Sequence, residues 1–298
     1  MSCPSCFQGT LHTGTPRGTE TLLHGLKTYV TAPSNDDVDV DLKGVVVIAP
    51  DALGWTFCNT RLLADRMAEE GGWTVYVPDL MDGHAPSATL LSVFDNLLYD
   101  TGVWNWLWKP YYFLQVAYAM LPFLLLVPLS KSLPRLRSFL TALRTTTHPT
   151  LPLGACGYCW GAKHVITLAS ESIHQTPENG TKQQPQQPLL TAAFVAHPAS
   201  DVQVPGDFDN LHTPLSMAVG EKDIFFSMEV VERVKGVLAT REEGVGVGSE
   251  VYVYAGARHG FATRGDDKVG VERRQAEEAR EQAVAWLGRW FKRGGAGM

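Results

Sequence analysis

The chain reads as an α/β protein: a mainly parallel twisted sheet with helices on both faces and a lid insertion. Short β-branched runs alternate with helical patterns along most of its length, as repeated strand–helix–strand units do. One early run, residues 43–50 (KGVVVIAP), is apolar at nearly every position, as a strand buried on both faces must be. The alternation then breaks between residues 85 and 148, where an aromatic and apolar stretch intervenes, and resumes afterwards.

The elements follow in order. Residues 24–31 alternate Leu26, Thr28 and Val30, the period of an antiparallel edge strand. After the 43–50 strand, residues 60–70 (TRLLADRMAEE) form an amphipathic helix stopped by Gly71-Gly72. Residues 73–78 (WTVYVP) are a second strand, and 151–156 a third that runs into Gly157-Tyr158-Cys159-Trp160-Gly161 and a helix over 162–172. Residues 171–188, rich in Gln, Pro, Asn and Thr, read as a solvated surface loop. Strands at 192–196, 215–219 and 250–254 follow. The helix at 272–292 carries Val284, Leu287, Trp290 and Phe291 at helical spacing. One domain over 1–298, with 85–148 as a lid or cap inside it, is the economical reading.

That insertion holds Trp104, Trp106, Trp108, Tyr111, Tyr112 and Phe113, then an uncharged run over 110–130. A bilayer span takes about 20 residues, so length alone permits one. Gln115, Pro122 and Pro128 argue against it, since a proline inside a helix removes a backbone hydrogen bond. So does position, because a span would put the two halves of the sheet on opposite sides. A lid over the active site is the leading reading, and contact with a membrane surface through that lid is the lesser one.

Composition excludes other classes. A net charge of -6 with scattered acids and bases offers no basic stripe for nucleic acid. The start, Met1-Ser-Cys3-Pro-Ser-Cys6, lacks a basic flank and an apolar core, so no secretory signal is expected. Five cysteines, an odd number, suit a reducing compartment better than a disulfide framework, and a cytoplasmic location is expected. Cys3 and Cys6 lack a second C-x-x-C to complete a zinc site.

Gly157-Tyr158-Cys159-Trp160-Gly161 is a G-x-C-x-G between a strand and a helix. It is the nucleophile elbow of the α/β-hydrolase fold with cysteine replacing serine. The turn strains the nucleophile's backbone, and side chains two residues either side would collide with it. The following helix aims its amides and positive end at the sulfur, which favours thiolate. The Trp160 amide is placed as an oxyanion donor. The strand at 215–219 ends in Gly220-Glu-Lys-Asp223, and that at 250–254 leads to His259-Gly-Phe. Both groups lie past strand C-termini, where open α/β sheets carry their sites. Their order after Cys159 is that of a nucleophile–acid–histidine triad. Cys159 would attack a carbonyl, His259 move the proton and Asp223 fix the imidazole tautomer.

GYCWGAK at 157–163, GEKD at 220–223, HGF at 259–261, VPDL at 77–80 and PDALGW at 50–55 resemble the dienelactone hydrolase family. The glycine-rich arm GTLHTGTPRG looks like its fungal branch. The resemblance covers nearly the whole chain. It implies hydrolysis of a lactone or related ester by a Cys-His-Asp triad, with no metal and no cofactor. It carries the nucleophile to Cys159, the acid to Asp223, the base to His259 and a second oxyanion amide to Ala52. Where bacterial members place a glutamate against the resting thiol, this chain has Asp51, one methylene shorter, for which an equivalent role and a simple turn cap both fit. Where they carry a carboxylate-binding arginine after the PDL strand, this chain has Asp82-Gly83-His84. Arg264 remains a candidate carboxylate contact, and His197 either lines the pocket or packs structurally. A missing clamp and an apolar lid imply a larger, less anionic small-molecule ester, lactone or thioester. A setting in secondary metabolism fits that substrate. The alternative is a lyase, cyclisation or acyl-transfer step on a polyketide-like substrate at the same site, with water excluded by the lid.

Overall fold

The computed structural model describes residues 11–34, 42–98, 102–173, 187–245, 248–266 and 268–295. Strands β1 (Thr19–Leu23) and β2 (Leu26–Thr31) form a hairpin, followed by β3 (Val45–Ala49), α1 (Cys58–Gly71) and β4 (Thr74–Pro78). The insertion comes next, as α2 (Leu90–Leu98), α3 (Val103–Leu126), α4 (Leu129–Ala142) and a π-helical turn at Leu143–Thr147. Then come β5 (Leu153–Tyr158), α5 (Trp160–Ala169) and a short pair, β6 (Ser172–Ile173) with β7 (Gln187–Pro188). The remainder is β8 (Ala192–Ala196), β9 (Leu215–Gly220), α6 (Met228–Val245), β10 (Ser249–Tyr254), α7 (Phe261–Arg264) and α8 (Gly270–Gly295).

Eight strands make one sheet in the order β1-β2-β4-β3-β5-β8-β9-β10. The pairs β1–β2 and β2–β4 are antiparallel, and those from β4 through β10 are parallel. This is the α/β-hydrolase fold with an inserted lid region. Strand β3 shows why its sequence is apolar throughout. Val45, Val47 and Ala49 enter a core with Leu136 and Phe139 of α4, Val165 and Ile166 of α5 and Val231 of α6. Val46 and Ile48 face the opposite core, built on Met67 of α1 and Trp286, Leu287 and Phe291 of α8. Strand β5, at the centre, is thinned by glycine so that α8 can press on it. A Cβ at Gly154 would lie 2.9 Å from the Phe291 ring and 3.0 Å from Leu287.

The insertion leaves after β4 and returns into β5, and β3 pairs with both β4 and β5. Both halves of the sheet therefore lie together, as the position of the apolar run required. No single helix among the described residues is long and apolar enough to cross a membrane; Trp106–Leu126 and Leu129–Thr147, bent by 62°, reach that length and apolarity only as a pair.

Several elements differ from expectation. The strand read over 24–31 begins at Leu26 and is not the edge, because β1 pairs outside it through a turn at His24-Gly25. Helix α5 starts at Trp160 and ends at Ala169. Ser172–Ile173 instead pairs with Gln187–Pro188 at the ends of the expected loop, whose middle, with Cys3 and Cys6, falls outside the described residues. Helix α6 was not expected at all. Helix α3 continues through Pro110 and Pro122, both on its exposed side, where the rings meet little packed structure.

The close approach of α5 to β3 gives a test. A Cβ at Gly161 would sit 2.1 Å from the Ala49 carbonyl oxygen, a backbone atom that cannot move aside. Gly161→Ala should cost about 3 kcal/mol or more in chemical denaturation. Gly236→Ala, in mid-α6 with nothing near its Cβ position, should stabilise by about 0.5–1 kcal/mol.

Candidate active site

Cys159 joins β5 to α5 with φ 51° and ψ −114°, a region that side chains other than glycine avoid. The two glycines explain how the turn closes. A Cβ at Gly157 would lie 2.6 Å from the Gly161 carbonyl oxygen, and Gly161 itself abuts Ala49. The Cys159 amide donates to the Ala196 carbonyl at 3.1 Å, and the Cys159 carbonyl accepts from Ala162 at 3.1 Å. The sulfur thus stands at the C-terminal edge of the parallel sheet, before the first turn of α5.

The other two groups come from the loops after β9 and β10, which are latched to each other. Lys222 N–H donates to the Ala257 carbonyl at 2.8 Å, and Glu221 N–H to that of Tyr254 at 3.0 Å. Gly220 sits so close to Ala257 that a Cβ would lie 2.5 Å from its carbonyl oxygen. From this frame Asp223 and His259 meet, with Nδ1 to Oδ2 at 2.9 Å. His259 Nε2 then lies 3.1 Å from Cys159 Sγ. The other Asp223 oxygen accepts the amides of Phe225 at 2.9 Å and Phe226 at 3.2 Å. Three hydrogen bonds thus hold the carboxylate in place. The three residues expected from sequence form one hydrogen-bonded line.

Burial disfavours a charge on His259, but Cys159 at one nitrogen and Asp223 at the other outweigh it and raise its pKa to about 9. A base of that strength, held against a thiol, can take its proton. The ring is fixed further by Phe225, edge-on at 4.8 Å between centroids, and by His197 at 5.2 Å.

The sulfur opens into a cleft of about 90 Å³. Ala52, Leu53, Pro86 and Phe225 line it with Leu90 and Leu91 of α2 and Met120 of α3. Beside His259, Arg264 is the one basic side chain on that lining among the described residues. It is buried, packs over Gly260, and faces Asp51, with Nε 3.4 Å from Oδ2 and no hydrogen-bond partner for that nitrogen. The buried Asp51 carboxylate also accepts the Leu53 amide at 2.9 Å and faces the Thr263 hydroxyl at 3.4 Å. It caps the turn and meets Arg264, and no hydrogen bond joins it to Cys159 among the described residues.

His197 is wholly buried beneath His259, away from the cleft lining, in a left-handed backbone conformation (φ 37°). Burial first, then His259 and Arg264, hold its pKa well below the usual value, so the ring is neutral. His84 is partly exposed in the turn after β4 and is not on the lining. That turn is tied to the lid instead, since Asp82 pairs with Arg135 of α4 at 2.8 Å. Trp160 carries the lid on its side chain, 5.7 Å from the Phe123 ring of α3. Behind it, Ser132 of α4 and His164 of α5 share a buried hydrogen bond of 2.7 Å. Sequence reasoning missed Phe225, Met120, Leu90 and Leu91. Only Phe225, two residues past Asp223, had a local signal.

A strained cysteine at a strand–helix turn, backed by a buried His–Asp pair on loops after later strands, defines a cysteine-nucleophile α/β-hydrolase acting on esters or lactones. More narrowly, residues 26–292 match the model of the dienelactone hydrolase family, and the chain belongs to that family. Hydrolase tropI of Talaromyces stipitatus is 26% identical over 98% of this chain and 97% of its own length. Dienlactone hydrolase 1 of Gibberella moniliformis is 25% identical over 97% and 94%. Among solved structures, a Klebsiella pneumoniae protein assigned as a dienelactone hydrolase superposes with a TM-score of 0.61 at 18% identity, covering 89% of this chain and 93% of its own. That last likeness is one of fold.

The His259 shift sets a pH dependence of stability. An imidazole with a pKa of about 6.5 unfolded and about 9 folded holds its proton more tightly in the native state. Its contribution is complete below about pH 6.5 and is lost as the pH rises through about 9. His259→Gln should therefore lose less stability than the wild type between those two pH values, read from urea midpoints. Equal losses in both proteins would contradict the assignment.

Proposed function

We propose that this chain hydrolyses an apolar carboxylic ester, lactone or thioester through an acyl–Cys159 intermediate. The line Cys159–His259–Asp223, at 3.1 and 2.9 Å, carries the reading. His259 takes the thiol proton and the sulfur attacks the carbonyl carbon. The C–O bond of the resulting tetrahedral species (C–S for a thioester substrate) breaks, and His259 returns the proton to the departing alkoxide or thiolate. Water then enters, gives a proton to His259 and attacks the thioester; the C–Sγ bond breaks, His259 returns the proton to the sulfur, and the acid leaves. In both halves the amides of Trp160 and Ala52 would hold the oxyanion, and the position of Trp160 as first residue of α5 supports this. The first amides of a helix have no partner within it.

The lining supports a neutral or singly charged substrate, because Arg264, its one permanent cation among the described residues, faces Asp51. A volume of about 90 Å³ is smaller than ordinary ligand pockets of about 300–1,000 Å³. A substrate of ordinary size therefore requires α2 and α3 to move. The name of the human relative, a carboxymethylenebutenolidase homolog at 23% identity over 92% of this chain, supports lactones within that class. The glycine-rich arm and the relatives from Talaromyces stipitatus and Gibberella moniliformis support a place in the fungal branch. The free thiols of Cys58, Cys156 and Cys159 support a cytoplasmic setting.

Two outcomes are expected. Cys159→Ala should reduce turnover of activated esters by about 10³-fold or more, with the fold retained. Arg264→Gln should lower kcat/KM for carboxylate-bearing lactones by about tenfold or more, the worth of a charged hydrogen bond, and leave neutral esters nearly unaffected. High wild-type activity on small anionic lactones with none on bulky esters would contradict the substrate class.

A further inference from the structure

The largest apolar surface exposed by the lid lies on α3. From Pro110 to Ser130 there is no charged residue. One face of the helix serves the site, with Met120 over the cleft and Phe123 against Trp160. The rest of its circumference is bare. Leu114 is 65% exposed, Tyr118 83% and Leu125 66%. Exposed apolar positions run from Phe113 through Leu121 to Trp108, an arc of roughly 220° at about 100° per residue.

Lipid and a second copy of this chain are the two occupants to weigh, and three features favour lipid. A facing helix or groove covers a stripe of about 100°, well short of this arc. A protein interface carries a polar rim and roughly one hydrogen bond per 100–200 Å². Between Pro110 and Leu126 the side chains offer only three tyrosine hydroxyls and Gln115, and Gln115 already donates to Tyr111. Finally, exposed Trp106 and Trp108 lie on that same arc. Amphipathic aromatics settle at the headgroup level of a bilayer surface.

We propose that α3 docks in the surface of a lipid bilayer, lying in its plane rather than crossing it. Docking draws Met120 away from Cys159 and admits an apolar ester dissolved in the lipid. The gating half rests on the hydrolase reading above; the docking half does not. With no charge on the docking face, attachment is hydrophobic, so it needs no anionic lipid and survives salt.

The test is flotation with phosphatidylcholine vesicles at low and high salt. It compares the wild type, Cys159→Ala, and a triple variant with Leu114→Glu, Leu121→Glu and Leu125→Glu. The three leucines are exposed, so the variant should keep the wild-type melting temperature and its rate on a short, water-soluble ester. The wild type and Cys159→Ala should float equally in both salts, and the triple variant at least tenfold less. Vesicles should speed wild-type cleavage of a long-chain ester severalfold, and not that of the triple variant. A wild type that stays in the lipid-free fraction overturns the proposal. So does a concentration-dependent wild-type dimer, seen by sedimentation velocity and abolished in the triple variant, because a second copy would then cover α3. Flotation without turnover of any ester would overturn the gating and the hydrolase reading together, while supporting the docking.

Discussion

The site depends on one steric constraint: β5 must turn directly into α5 while α5 lies against β3. The turn closes because nothing projects from Gly157 or Gly161, whose missing Cβ positions are filled by the backbone of Gly161, Ala162 and Ala49. The residue between them is forced to positive φ, a sparsely populated conformation that costs about 1–3 kcal/mol. Strain of this kind persists where its surroundings over-determine it. Here they are the parallel neighbours of β5, one of which holds the Cys159 amide through Ala196. The thiol is therefore aimed by the sheet itself.

Given that aim, the remaining geometry is electrostatic. Two buried acid–base pairs flank the sulfur, Asp223 with His259 and Asp51 with Arg264. Each places a carboxylate where hydrogen bonds from amides can hold it, Phe225 and Phe226 in the first case and Leu53 in the second. Buried charges persist only when so compensated. The first pair serves proton transfer. The second leaves one guanidinium face towards an otherwise apolar cleft. Neutral His197 beneath the imidazole adds no competing charge.

What could be read from sequence was local. KGVVVIAP shows burial on both faces, GYCWG shows the turn, and GEKD and HGF fall directly after strands, so each needed only short-range rules. Strand β1 was not legible because its first four residues are exposed, leaving no apolar alternation. Helix α6 hides behind charged residues, with the few buried side chains Val231, Val234 and Leu238 as its only apolar stripe. Helix α3 runs on through Pro110 and Pro122, against the proline rule, each at the loss of a backbone hydrogen bond. The cleft lining was least legible. Met120, Leu90 and Leu91 reach Cys159 only through the path of the insertion, which no local spacing encodes.

The lid is held at one end and exposed at the other. Phe123 on Trp160, Ser132 on His164 and Asp82 with Arg135 pin α4 and the end of α3 to the elbow helix and the β4 turn. The early turns of α3, around Trp106 and Trp108, are exposed. Such a lever can uncover the cleft without disturbing the triad, so hydrolysis and access are separable properties. The central claim concerns the first. Intact-protein and peptide mass spectrometry, after acid quench during turnover of an activated ester, tests it most directly. An acyl group on the Cys159 peptide that disappears in Cys159→Ala is the expected result. Continued turnover with no adduct at Cys159, or an adduct on another residue, would contradict it.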